Sequence, residues 1–456
     1  MRPTAGGGGH RISDDVAARP ALTGRELLLE LYDSAIVAAA PGPATTRAMD
    51  ALKIDRASRV WIFAFGKAAH PMAAAAVSSL RKSLHSIVGG VVVSPDVRPS
   101  PYPTLVSLRG DHPVPSRHSF AAAAKIAEVT PGRRGNDVAI VLISGGASSV
   151  IGGPLRGMND ADLVTLYELL LGSGLDIASM NMVRKRFSRW GGGRLALALA
   201  PAATHCLAMS DVADDDLGVI GSGPCSPDSA TVKDVTTVLQ RANLFNRIPQ
   251  THRDYLIAVG RGTIPETPTK SHPAFAHVTA RVIGSTRLAV DGAAAAAKER
   301  GLDVEVMPSR LSGEAARAGE SIARHALGGD ARSSGPACWI WGGETTVTLG
   351  NGASTSGGGR CQELALAAAR VLADAGERAA NLSILAAGTD GRDGATDAAG
   401  AVVDGTTWRA IAGAGRDPAQ ALAAHESHAA LRAAGAVIAR RETGTNVNDV
   451  VIALRN

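Results

Sequence analysis

The chain is 456 residues long, carries a formal net charge of +5, and is 45% hydrophobic and 20% charged. This balance excludes a disordered or fibrous polymer, and the length exceeds what one ordinary core fills, so two domains are expected. No stretch of about 18 consecutive apolar residues occurs, which argues against a membrane span.

Aromatic residues make up only 3%, so the cores must be built from small and β-branched side chains. Eight lysines stand against 39 arginines, with no long basic run and no extended interleaving of basic and aromatic residues. The excess charge suits small anionic ligands better than nucleic acid. Cys206, Cys225, Cys338 and Cys361 are widely spaced and form no CxxC pair. That argues against a disulfide framework or a structural zinc site and fits a reducing cytoplasm. Residues 1–20 contain four consecutive glycines and no apolar segment; they read as a disordered leader and not as a secretory signal.

In chain order, Thr23 is placed to cap a helix over residues 24–39, which Pro41-Gly42-Pro43 stops. The run RVWIFAF at 59–65 predicts a buried strand that ends at Gly66-Lys67 and enters a helix over 68–79. A second strand is expected at 87–94, and Asp111-His112-Pro113 precedes an alanine-rich helix. The strand at 137–143 empties into Ser144-Gly145-Gly146-Ala147-Ser148. Helical patterns cover 160–171 and 177–189, and Gly191-Gly192-Gly193-Arg194 opens another. The strand at 205–209 leads to Ser210-Asp211.

The alternation resumes with strands predicted at 278–283, 303–307, 337–341, 345–349, 382–386 and 450–454. Helices are predicted at 287–300, 313–325, 364–373 and 418–434. Strand, glycine loop and helix repeat in both halves, which predicts an α/β protein with two parallel layers and loops at the strand C-termini. The expected division is 21–270 and 271–456, with the boundary near 262–275. Pattern leaves open whether the last strand returns to the first domain.

Five loops carry candidate chemistry. Lys67 follows a strand at a helix start, where an ammonium would meet phosphate oxygens alongside helix N–H groups. It is no P-loop lysine, because Trp61 and Ala68 stand where a Walker A motif has glycine and Ser/Thr. Ser144, Gly145, Gly146 and Ser148 form an anion nest or a plain strand-to-helix turn. Asp211, with Asp214-Asp215-Asp216 and then Gly221-Ser222-Gly223, offers carboxylates that bind magnesium or take a proton.

The fourth loop carries Glu344 and then Gly357-Gly358-Gly359-Arg360, a close-approach turn followed by a planar cation suited to carboxylate or phosphate. In the fifth, Asp390, Asp393 and Asp397 interleave with glycine, as oxygen ligands or as Asp-Gly turns, without EF-hand spacing. His112, between prolines, reads first as a packed residue fixing its loop and second as a base. There is no G-x-G-x-x-G after a strand, no HExxH and no GxSxG elbow. Cations, glycine nests and carboxylates without an evident nucleophile suit phosphoryl transfer, which needs positioning and charge neutralisation.

The segments FGKAAHPMA, GDHPVPS, LISGGASS, NMVRKRFSRWGGGRLA, SDVADDDLGVIGSGPCSPD, GGETTVTL, GGGRCQELAL, AAGTDGRDGATDAAGA and TGTNVND together resemble, in order, the motifs of the class II glycerate 2-kinase family, whose C-terminal module is called MOFRL. The likeness runs from about Gly24 to the C-terminus. It departs at Cys361, where the family usually has asparagine, and at Gly191, where it usually has lysine.

The resemblance implies two Rossmann-like α/β/α domains with an interdomain active-site cleft. It implies ATP- and divalent-metal-dependent phosphorylation of D-glycerate at its 2-hydroxyl, giving 2-phosphoglycerate. Lys67 and Arg360 are the positions tied to catalysis, with Glu344 at the site. Asp211 or Asp390 would be base or metal ligand, with Asp393 as a further ligand to Mg2+. Arg194 and the glycine loops would contact substrate or nucleotide. The protein is expected in the cytoplasm with no nucleic-acid or membrane partner, and a homodimer is left open. The alternatives are a sugar-phosphate isomerase-like binding domain and a hydroxypyruvate reductase.

Overall fold

A computed structural model describes residues 22–212, 214–328, 335–349 and 357–456. The expected leader, and most of the loop before Gly357, lie outside these. The described residues form two six-stranded sheets. The first contains β1 (Arg59–Phe65), β2 (Ser86–Ser94), β3 (Leu105–Arg109), β4 (Asp137–Ile143), β5 (Ala203–Met209) and β6 (Val278–Gly284). The second contains β7 (Asp303–Val306), β8 (Ala337–Gly343), β9 (Leu382–Gly388), β10 (Ala398–Asp404), β11 (Val437–Ala439) and β12 (Asp449–Arg455).

The first sheet is parallel throughout in the order β3-β2-β1-β4-β5-β6, the doubly wound arrangement. The chain order reverses between β1 and β4, which opens a crevice at their carboxyl ends. The second sheet runs β11-β10-β9-β12-β8-β7 and is mixed. β12 lies antiparallel between β8 and β9, and only β7–β8 pairs in parallel. The expectation of two parallel layers therefore holds for the first sheet alone. A strand-and-loop alternation cannot report the direction in which a strand such as β12 enters.

One further expectation is corrected, and one question that pattern left open is answered. The boundary near 262–275 assigned β6 to the second half, yet it pairs with β5 at the edge of the first sheet. The last strand, left open above, is central in the second sheet. The helix Gly24–Ala38 starts at a Thr23–Glu26 capping box, as predicted, but it packs on the second sheet. Its Tyr32 hydroxyl donates to the Gly388 carbonyl at 2.5 Å, and Arg300 Nε bonds Glu30 at 3.0 Å. One apolar cluster, from Leu28 through Ile62 and Ala293 to Ile452, is continuous between the sheets. Each sheet buries its other face against a separate cluster.

Pro41 begins a second helix, Pro41–Asp50, in place of ending the first, because proline at the first helical position loses no hydrogen bond. Residues 345–349 form no strand; Thr346 makes only an isolated bridge with Glu314. A helical group outside the sheets (Asp160–Leu171, Ile177–Phe187, Val232–Arg241 and Gln250–Gly260) shares its own core around Phe187 and Leu239. The sequence signalled only its first two members.

Candidate active site

The loops after β4 and β5 face those after β7 and β8 across a cavity of about 1250 Å³. On the first sheet, Gly66 adopts φ +110°, and a side chain there would collide with the Ser144 carbonyl. This contact locks the β1 and β4 turns together: Lys67 N donates to Gly145 O at 2.9 Å, and Ala68 N to Ser144 Oγ at 3.0 Å. Ser144 is thereby spent on structure, buried beside β1. Gly146 takes the left-handed conformation that curves backbone around an anion. Gly145, Gly146, Ser148, Gly221 and Ser222 all line the cavity. The hydroxyls of Ser148 and Ser222 meet at 2.5 Å.

Asp211 sits directly over Gly145, which has no side chain to obstruct its carboxylate. Asn448 Nδ2 fixes the Asp211 carbonyl at 3.1 Å, linking the end of β5 to the start of β12. Burial pushes the Asp211 carboxyl up; the nearby charge of Lys67 opposes this and Glu344 adds to it. His112 lines the same wall, and burial, then Lys67 and Arg184, hold it below the usual histidine range. It is a neutral cavity residue and not only a loop-packing one. Lys67 is exposed and is not itself among the lining residues, but its charge acts on two of them.

On the second sheet, Arg360 opens the helix Arg360–Ala375 and reaches Asp449 with Nε–Oδ2 2.6 Å and Nη2–Oδ1 2.9 Å. Its remaining nitrogen pairs with Glu344 at 3.0 Å. Burial alone would lower the arginine, but the Asp449 pair more than restores it and keeps the guanidinium charged. Gly358, Gly359, Glu344 and Arg360 all line the cavity, with Glu363 and His425 beside them. His425 Nδ1 bonds Glu363 at 2.9 Å.

Besides Lys67 and Ser144, four expected site residues lie outside the cavity lining. Arg194 is engaged by the carbonyls of Lys185, Arg186, Ser188 and Gly191 and so braces its own glycine turn. Asp390 accepts from Arg392 N in a local turn. Asp393 caps the Arg360 helix, accepting from Cys361 N at 3.0 Å and Gln362 N at 2.8 Å. Gly223 shapes the turn behind Ser222. None of the four lines the cavity. Sequence reasoning missed Asp449, Arg184, Arg310, Glu363 and His425. Asp449 had one legible signal, a carboxylate opening an otherwise apolar strand.

Among the described residues no three His, Cys, Asp or Glu side chains cluster as a metal cage. Asp214 and Asp216 nevertheless line the cavity with Asp211 and Glu344. Magnesium needs only one or two carboxylates when phosphates and water complete its shell, so this all-oxygen set fits it.

An anion nest at a topological switch point, facing a charge-fixed arginine from a second sheet, defines an α/β crevice built for small anionic reactants. Residues 27–257 match the family described as "Domain of unknown function (DUF4147)", and residues 337–449 match the MOFRL family. The chain is 36% identical to the D-glycerate 2-kinase of Thermotoga maritima, covering 94% of this chain and 98% of that one. It is 33% identical to the glycerate 2-kinase of Pyrococcus horikoshii, covering 94% and 97%. The crystal structure of glycerate kinase from Thermotoga maritima superposes with a TM-score of 0.83 at 35% identity, over 95% of this chain and 99% of that one. The chain belongs to the glycerate 2-kinase family, whose C-terminal module is MOFRL.

Proposed function

We propose that the protein transfers the terminal phosphoryl group of ATP to the 2-hydroxyl of D-glycerate, giving 2-phosphoglycerate and ADP. The observation that carries this reading is the meeting, across one cavity, of the nest beside Lys67 with the Arg360–Glu344 pair. The family supplies the substrate. The new bond joins the acceptor oxygen to phosphorus, the bond to the β-phosphate oxygen breaks, and the hydroxyl proton passes to Asp211.

Asp211 is the base because its carboxylate lines the cavity over Gly145, where partial burial makes it bind a proton more readily than an ordinary one. Asp390 and Asp393, held in a turn and a helix cap outside the cavity lining, take no part. Lys67 and Arg360 neutralise the charge that develops on the transferring group, while the Gly145–Gly146 backbone holds an anionic end in place. Asp214 and Asp216 would hold a magnesium ion, which neutralises nucleotide phosphate charge when bound. The protein is assigned to the cytoplasm, supported by four free, buried cysteines. Among the described residues no helix is long and apolar enough to cross a membrane.

The test is a coupled ADP-release assay with ATP, magnesium and D-glycerate, with phosphorus NMR to identify the product. 2-Phosphoglycerate is expected, and Lys67→Ala is expected to abolish its formation. No ADP release, or release with 3-phosphoglycerate as product, overturns the reading.

A further inference from the structure

The helix Ile177–Phe187 ends in three consecutive cations, Arg184, Lys185 and Arg186, all buried. Lys185 pairs with Asp228 at 2.9 Å, and Arg186 pairs with Glu266. Arg184, only 7% exposed, has neither a hydrogen bond nor an ion pair among the described residues. Its Nε and Nη2 are sealed from solvent without a partner. The guanidinium lies 4.8 Å over the Tyr167 ring and lines the cavity, as do Asn181 and Ala178 one and two turns earlier on the same face.

A buried cation without a counter-charge is costly, and its persistence points to an anion that completes it. Of the other two arginines that line the cavity, Arg360 has two carboxylates and Arg310 donates to the Val212 carbonyl, while Lys67 lies outside the lining. The hydroxyl of that Tyr167 ring is itself bonded to Ser148 at 3.4 Å. One deeply set planar fork on an apolar ring matches a single carboxylate better than a triphosphate, which needs several donors.

We propose that Arg184 binds the carboxylate of the acceptor and sets the preference for a hydroxy acid over an uncharged polyol, a proposal that rests on the glycerate reading above. The test is calorimetric binding of D-glycerate, neutral glyceramide and ATP to the wild type, Arg184→Met and Arg184→Lys, alongside turnover and thermal melting. Arg184→Met is expected to weaken D-glycerate binding about 100-fold. ATP binding should stay within about two-fold, and glyceramide binding should not change. Arg184→Lys restores part of the affinity.

The unliganded Arg184→Met protein melts no lower than the wild type, since an unpaired charge has been removed; a merely structural arginine would lower it. Unchanged D-glycerate affinity overturns the proposal, as does loss of ATP binding with glycerate binding intact. A wild type that binds D-glycerate through Arg184 without turnover overturns the kinase reading alone. A wild type that binds no D-glycerate overturns both.

Discussion

Arg360 and Asp449 face each other fork to fork, with two nitrogens of the guanidinium on the two oxygens of the carboxylate. One residue begins a helix and the other begins β12, so the pair ties the glycine loop to the centre of the second sheet. The third nitrogen is thereby aimed at Glu344 and the cavity.

Asp449→Asn keeps the shape but supplies only one acceptor to the fork. Misplacing a positioned cation by about 1 Å costs on the order of 100-fold in rate, so kcat is expected to fall about 10- to 100-fold. Arg360→Met leaves Asp449 buried and unpaired, a loss of about 3 kcal/mol in denaturant unfolding. The double variant Arg360→Met/Asp449→Leu recovers most of that stability and none of the activity. Additive losses in the double variant would show that the two side chains act independently.

Gly145→Ala places a methyl group where the Asp211 carboxylate now lies. The neighbour is a side chain that can swing away, so the melting temperature should change little. kcat/KM for D-glycerate should fall at least about 100-fold, the lower range for loss of a positioned base. Wild-type activity in this variant would remove Asp211 from the mechanism.

Burial raises the Asp211 carboxyl, with Glu344 adding to the rise. As the base must be ionised, activity is lost as pH falls through a value higher than that of an ordinary aspartate. Glu344→Gln removes a neighbouring negative charge and should move this acid limb of kcat/KM to lower pH, by the same sign argument. A limb that stays in place or moves upward contradicts the assignment.

His252 is fully buried with its ring 4.4 Å from Phe187, and burial pushes it down to about 4. The unfolded chain, near 6.5, takes up a proton first as pH falls. Its stabilising contribution is therefore complete above about 6.5 and is lost as pH falls toward about 4, amounting to roughly 3 kcal/mol. Urea unfolding across this window should show His252→Phe losing less stability on acidification than the wild type. Equal losses would mean that the imidazole does not drive the effect.

What the sequence determined is local. The capping box at Thr23, the strand runs of β1, β4, β5 and β8, and the glycine turns after them follow from nearest-neighbour preferences. The resemblance added an ordered set of motifs and tied Lys67, Arg360 and Glu344, already candidates from their loops, to one site. The tertiary structure decided which carboxylate answers which cation. Asp393 and Asp211 each follow a strand near glycines, yet one caps a helix and the other faces the cavity. That difference arises from contacts between segments far apart in the chain, such as Asn448 with Asp211 and Asp449 with Arg360. The same holds for Arg184, whose missing partner becomes visible only once Asp228 and Glu266 have claimed its two neighbours. Charge pairing in a folded chain depends on three-dimensional proximity and desolvation, and neither is encoded by spacing along the sequence.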